Sequence, residues 1–268
     1  KLIINIYIHE KFFELGFSLG NLFDIAEDRE LDRKPDAVYL FGVPGGELDS
    51  LASSPTLFYD DEKTDMPVAA CPNRDEFGYF GYLKKMILTL HNSIMMKRGL
   101  MPVHGAMVNI TLNNGKKANV IIAGDSGAGK SESLEAFREL GSEYIREMKI
   151  IFDDMGCLEM NEGGVIAYGT EIGAFVRLDD LQPGFAFGNL DRSIIMSPQK
   201  INARAVIPVT TLKEITEGHD IDFFLYANNY EQVDGEKEFL EKFDNPDEAI
   251  EVFRSGKVMS KGTTTTKG

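Results

Sequence analysis

The sequence predicts a mixed α/β fold: a β-rich mixed sheet built around one strand–glycine loop–helix unit. Three observations carry that expectation. "NVIIAGDSGAGKSESLEAFREL" (119–140) runs from an apolar strand through closely spaced glycines into a helical pattern. "HGAMVNITL-NNGKK-ANVIIAG" is strand, Asn-Gly turn, strand, which is a strong hairpin signal. Beyond residue 150, short apolar runs recur at roughly the 8–12-residue spacing of β-rich regions.

The elements follow in order. "KLIINIYI" and "DAVYLFGV" read as strands, and the rest of the first 70 residues as irregular. "EDRELDRKPD" reads as a charged loop or a disordered surface stretch, broken by its proline. Residues 80–99 carry Met86, Leu90 and Ile94 at helical spacing, and Gly99 stops the helix. The hairpin follows, and its second strand leads into the glycine turn. "SESLEAFREL" is then a helix ended by Gly141. "IREMKIIFDDMGCLEM" reads as a buried strand whose "KIIF" ends at Asp153 and Asp154. "GVIAYG", "AFVRL", "SIIMS", "ARAVIPVTTL" and "DIDFFLYANN" are short strands, and "EKEFLEKFDNPDEAIEVFRSG" is helical with an interruption at "DNPDE". Two portions result: 1–74, an N-terminal α/β part read as incomplete, and 75–268, a domain organised around the glycine loop. The chain opens on "KLIINIYIHE" without an initiator Met and closes on "SKGTTTTKG", so the reading expects a longer protein at both ends.

Composition narrows the function classes. A hydrophobic fraction of 43% and a charged fraction of 26% are ordinary for a globular protein. The net charge of −15, with no dense basic run, argues against a nucleic-acid partner. An anionic ligand must therefore be met by a few local cations and a metal. Cys71 and Cys157 are far apart and in no metal-ligand spacing, which points to a reducing compartment, read as the cytoplasm. No signal peptide or membrane-spanning run is expected.

The loop Gly124-Asp125-Ser126-Gly127-Ala128-Gly129-Lys130-Ser131 fits G-x-x-x-x-G-K-[ST]. Glycine lets backbone N–H groups turn inward on phosphate oxygens. The helix that follows, with Glu132 in its first turn, aims its positive end at the anion. Lys130 reaches the β- and γ-phosphates of ATP, and the Ser131 hydroxyl ligates Mg²⁺. Asp153 and Asp154 supply hard oxygens for Mg²⁺ or Mn²⁺. The lone histidines His9, His91 and His219 read as structural.

Together these stretches resemble two related families, the HPr serine kinases and the ATP-dependent phosphoenolpyruvate carboxykinases. "GDSGAGKSE" is closer to the kinases. "YFGYLKKMILTLHNSIMMKRGLMPVH" (79–104) is similar to the carboxykinase segment Tyr-Gly-Gly-Glu-Met-Lys-Lys, helix, Lys-Gly, histidine. In that pattern a lysine and a histidine nineteen residues apart ligate Mn²⁺, and Lys85 and His104 have that spacing. The resemblance covers roughly residues 75–268 and implies a carboxykinase-like nucleotide-binding core. It implies Lys85, His104 and Asp154 on Mn²⁺, and Ser131 and Asp153 on a nucleotide-bound Mg²⁺. It further implies Tyr79 at the substrate, Arg177 (in "EIGAFVRL") at the nucleotide, and Arg204 (in "NARAVIPV") on the transferred phosphate. "GTTTTKG" matches a segment near the adenine. Tyr82 stands where the family has Glu, Lys-Ser replaces Lys-Thr, and an Arg-Ser-Pro carboxylate clamp is not found.

Three functions stay open on these grounds. A carboxykinase-like enzyme would convert oxaloacetate to phosphoenolpyruvate, its catalytic set being Lys85, Lys130, Asp153, Asp154 and Arg204. An HPr-kinase-like enzyme would phosphorylate a protein or small-molecule hydroxyl, with Asp153 as base. A nucleotide-sensing domain would bind ATP or ADP without turnover.

Overall fold

The computed structural model describes residues 1–51, 56–124, 127–179, 188–228 and 240–255. The architecture is mixed α and β, with three sheets. The first holds β1 (Ile4–Ile8), β2 (Ala37–Val43), β3 (Leu57–Asp61) and β4 (Met66–Pro72) in the order β1-β2-β4-β3. Helix α1 (Phe13–Ser18) and the single turn α2 (Asp28–Leu31) lie between its first two strands. Two findings here differ from the sequence reading. The charged stretch "EDRELDRKPD" contains α2, closed by reciprocal capping between Glu27 and Glu30. β3 and β4 also form an antiparallel pair in a region read as irregular.

Helix α3 (Phe80–Lys97) is the hinge of the architecture. Its apolar stripe of Phe80, Leu83, Ile87, Leu90 and Ile94 packs on Tyr39, Phe41, Ala69 and Cys71 of the first sheet. The same cluster takes in Met196 and Val206. These belong to the small sheet β10-β11-β9, made of β9 (Gly173–Arg177), β10 (Ile194–Met196) and β11 (Arg204–Pro208). One core therefore runs from the N-terminal strands through α3 into the later strands, across position 74.

The third sheet has six strands in the order β12-β8-β7-β5-β6-β13. Its centre is the expected hairpin, β5 (Met101–Leu112) and β6 (Lys117–Ala123), with Gly115 at φ +84° in the turn. β7 (Ile145–Asn161) and β8 (Gly164–Gly169) extend it on one side, with the two-residue β12 (His219–Asp220) at that edge; β13 (Phe223–Tyr226) adds in parallel to β6. Alternation along β5 divides the packing: Ala106, Val108 and Ile110 join one cluster with Leu134 of α4 (Lys130–Leu140), while Met107 joins another with Ile121 and Phe152. Two short helices complete the described chain, α5 (Leu212–Glu217) and α6 (Pro246–Ser255). Of the helical stretch expected from residue 236 onward, the part before 240 lies outside the described residues, 240–245 are not helical, and α6 starts at Pro246, inside the expected interruption. No described helix is long and apolar enough to cross a membrane.

One correction bears on the site. Asp153 and Asp154 were expected at a strand end, yet β7 continues through them, pairing Ala106 with Asp153 and Gly105 with Asp154. Asp154 has φ +123°, an uncommon value for a side-chain-bearing residue. Neighbouring strand residues normally face opposite sides of a sheet. The backbone irregularity at Asp154 lets two adjacent carboxylates serve one cluster, at a strain of roughly 1–3 kcal/mol.

Candidate active site

The site gathers where four elements end or bend. β6 passes through Gly124 toward α4, whose N-cap Gly129 sits at φ +94°. A Cβ on Gly124 would lie 2.7 Å from the Ala227 carbonyl oxygen, so glycine is required by a backbone approach there. The Gly124 N–H donates to the His104 carbonyl at 3.0 Å, which fixes β5 against the start of the loop. Asp125 and Ser126 lie outside the described residues.

Lys130 and Ser131 open α4. Lys130 is buried, and its Nζ lies 3.3 Å from His104 Nε2. The Ser131 hydroxyl donates to Asp153 Oδ1 at 2.9 Å. His104 Nε2 also lies 2.7 Å from Asp154 Oδ1. A second ammonium, Lys84 of α3, bonds Asp154 Oδ2 and lies 3.1 Å from Glu171 Oε2. Glu171 precedes β9 and is held beside β7 by the Thr170 N–H, which donates to the Met155 carbonyl. Five of the expected residues, His104, Lys130, Ser131, Asp153 and Asp154, are thus brought together.

Lys85 is not among them. It is exposed, whereas Lys84 is 5% exposed and inside the cluster. The reason is helix phase. Lys84 follows Phe80 by four residues and precedes Ile87 by three, so it belongs to the buried stripe; Lys85 is turned about 100° away. That phase was readable in the sequence, but spacing to His104 alone selects the lysine that faces solvent.

Glu171 was not among the expected site residues, yet the structure places it in the cluster. It is 1% exposed, and its Oε1 has no hydrogen-bond partner among the described residues. A single glutamate before an apolar strand carries no local sign of burial. Only the packing of β9 beside β7 and α3 reveals it.

Tyr79, Arg177 and Arg204 form the next layer. The Phe175 ring lies 6.2 Å from the Tyr79 ring, 5.9 Å from Lys84 Nζ and 5.6 Å from the Arg204 guanidinium carbon. Arg204 and Arg177 are register partners on β11 and β9, so both face the same side of the small sheet. Arg177 also bonds Asp179 and donates to Asn202 Oδ1 at 2.6 Å. Glu132 is exposed at the start of α4. Gly127 and Ala128 lie in the described part of the loop, Gly127 at φ +80°. The threonine tail 262–268 lies outside the described residues.

The cluster is rich in carboxylates. Burial, with repulsion from Asp154, pushes the Asp153 carboxyl up to about 6, against the pull of Ser131, Lys84 and Lys130. Burial pushes Glu171 up to about 8. For Asp154 burial acts in the same sense, but Lys84 and His104 win and hold it well below the usual carboxylate range. For Lys84 burial favours the neutral amine, but Asp154 and Glu171 hold the proton on firmly.

Asp153 and Glu171, both buried and both held above their ordinary range, mark a site short of positive charge. That fits a hard divalent cation near Ser131, Asp153, His104 and Asp154. Among the described residues no three His, Cys, Asp or Glu side chains form a ready cage. A Mg²⁺ ion typically takes one or two carboxylates and completes its shell with water and substrate phosphates, which suits this donor set. Lys84 could ligate a metal only after losing its proton, a change that an adjacent divalent charge favours. Neither protein-family models nor curated proteins give a match to this chain.

Proposed function

We propose that this protein is an ATP-dependent phosphoryl-transfer enzyme of the phosphoenolpyruvate carboxykinase kind, with oxaloacetate as substrate. The observation that carries the reading is the meeting of Lys84 and His104 on Asp154, directly beside Lys130. A nucleotide loop needs only its own lysine and hydroxyl; a second basic pair on a half-buried carboxylate supports a second charged group at the transfer position. Bound ATP with Mg²⁺ and Mn²⁺ would supply the phosphoryl group and the charge that stabilises an enolate.

The side chains divide the work. Lys130 and the N-terminal end of α4 neutralise phosphate oxygens. Ser131 and Asp153 hold the nucleotide side, while His104, Asp154 and Lys84 hold the acceptor side. Arg204 and Tyr79, grouped around Phe175, line the approach for a small carboxylate. The bond from oxaloacetate to its departing carboxylate breaks, and CO₂ leaves. The electron pair passes to the enolate oxygen, which attacks the γ-phosphorus as the bond to ADP breaks. No side-chain base is required at the nucleophile. The free, buried Cys71 and Cys157 support a reducing, cytoplasmic setting.

One observation favours a second reading. Asp153 at about 6 is within reach of a general base at neutral pH, as an HPr-kinase-like enzyme acting on a hydroxyl would need.

The test is turnover of ATP with Mg²⁺ and Mn²⁺, with and without oxaloacetate, following phosphoenolpyruvate and ADP. Phosphoenolpyruvate that depends on oxaloacetate is expected, falling at least about 100-fold in Lys84→Ala and little in Lys85→Ala. Phosphorylation of a serine-bearing protein without phosphoenolpyruvate would install the second reading. ATP binding without turnover in either assay would remove both.

A further inference from the structure

A cavity of about 800 Å³ lies apart from the Lys84–Asp154 cluster, none of whose residues lines it. Three parts of the fold meet there. β1 contributes Ile4 and Ile6, α3 contributes Ile87 and Met95, and β7 and α5 contribute Cys157 and Ile215. Alternation along β1 brings Ile4 and Ile6 to one face, where both also pack on the core around α3. The volume is within the range of small-molecule sites, roughly 300–1,000 Å³, and junctions between packed units are where such sites form most often.

The charges in the lining cancel, and each is engaged. The cations are Lys1 and Arg98, and the carboxylates are Asp24 and Glu159. Lys1 pairs with Asp24 at 2.9 Å, Arg98 pairs with Asp36 at 2.9 Å, and Glu159 accepts from the Tyr168 hydroxyl at 3.0 Å. A charged ligand would enter without a counter-charge or break one of these pairs, and an unpaired charge taken out of water is costly. An uncharged ligand only displaces water from apolar walls. His91 lines the same cavity and supplies a polar contact. Its Nδ1 lies 3.2 Å from Asn92 Oδ1, an oxygen that only accepts, so Nδ1 carries the proton and Nε2 is an acceptor. Nε2 has no hydrogen-bond partner among the described residues. Burial holds the His91 pKa below its ordinary value, which keeps the ring neutral at neutral pH.

We propose that this cavity binds a small, uncharged, largely apolar molecule bearing a hydroxyl, with its apolar part against Ile4, Ile6, Ile87 and Ile215 and its O–H donated to His91 Nε2. The apolar walls give the affinity. The engaged charges discriminate against carboxylate and ammonium analogues of the same chain length, and His91 favours a ligand that carries a donor.

The experiment uses the whole chain and 1-aminoanthracene, an uncharged fluorophore that brightens in apolar surroundings. Saturable fluorescence is expected. 1-Octanol should displace it at least tenfold more effectively than octanoate or octyltrimethylammonium, and at least about threefold more effectively than octyl methyl ether, which has no donor. His91→Phe should erase the preference for alcohol over ether while aminoanthracene still binds. Met95→Trp and Thr216→Trp fill the cavity from α3 and from α5, and each should weaken the fluorophore at least tenfold in a protein whose urea midpoint shows it folded. Fluorescence that ignores both tryptophan variants would overturn the proposal, as would octanoate competing as well as octanol. Absence of saturable binding at the solubility limit of the fluorophore would overturn it too. An alcohol preference that survives His91→Phe would remove His91 from the site. A concentration-dependent dimer in sedimentation that Thr216→Trp abolishes would replace the small molecule with a second copy.

Discussion

Replacing Glu171 by glutamine should stabilise the metal-free protein, and by an amount that depends on pH. Glu171 is 1% exposed, and its carboxyl is pushed up to about 8 from a reference of 4.5. The sign follows from linkage. A carboxyl whose folded-state pKa is raised favours the folded state fully only below its unfolded pKa, and that contribution is lost as pH rises through the folded value. At pH 7 the unfolded chain has released this proton and the folded chain still holds it. At about 1.36 kcal/mol per pH unit between 4.5 and 7, the folded state forfeits about 3 kcal/mol at Glu171. Glutamine keeps the shape and never ionises, so Glu171→Gln should recover that amount. For a chain of this size the gain corresponds to roughly 6–12 °C in Tm. The assay is thermal or urea unfolding in EDTA at pH 4, 6, 7 and 8. The advantage should be near zero at pH 4, grow with pH and level off near pH 8. A Glu171→Gln variant that is equal or weaker at pH 7 and 8 would refute the reasoning. It would mean that the carboxylate is ionised and that its pairing with Lys84 outweighs burial.

Other expectations follow from the same geometry. Lys84→Met removes the cation between Asp154 and Glu171 and should cost about 3 kcal/mol in urea unfolding at pH 7, while Lys85→Met stays within about 0.5 kcal/mol; equal losses would contradict the placement of the two lysines. Asp36 accepts from the Ile3 N–H, Arg33 and Arg98, and although burial opposes it these partners hold its carboxyl below the usual range. Asp36→Asn should therefore cost about 1.5–3 kcal/mol at pH 7. The deficit should disappear as pH falls below the reference value of 3.8 and through the lower folded value, because the wild-type advantage exists only while the carboxylate is charged. Gly173→Ala would place a Cβ 2.1 Å from the Asn21 carbonyl oxygen, and a loss of at least about 1–3 kcal/mol is expected in chemical denaturation; Gly45→Ala, with open space around it, is the control.

The local signals in the sequence were strong where the physics is local. The Asn-Gly turn fixed a hairpin over β5 and β6, because few residues other than glycine accept the positive φ at Gly115. Apolar spacing and Gly99 fixed α3 to within two residues of its observed span. The glycine loop, Lys130, Ser131 and the aspartate pair were visible as one chemical theme because their residue types are demanding ones for a phosphate or a metal. Tertiary structure alone decided which strands flank them. It carried β7 on through Asp153 and Asp154 instead of ending there, and set Asp154 at φ +123° so that adjacent carboxylates share a cluster. It brought Glu171, just before β9, against Lys84 of α3, a contact between residues 87 positions apart that no local pattern encodes. Between Lys84 and Lys85 the sequence held the answer in its helix phase, but that phase gained meaning only once α3 was seen against its sheet. Residue type and short-range periodicity determine which side chains are capable of the chemistry. Long-range strand pairing and helix packing determine which of them meet, and burial at that meeting point sets their charge.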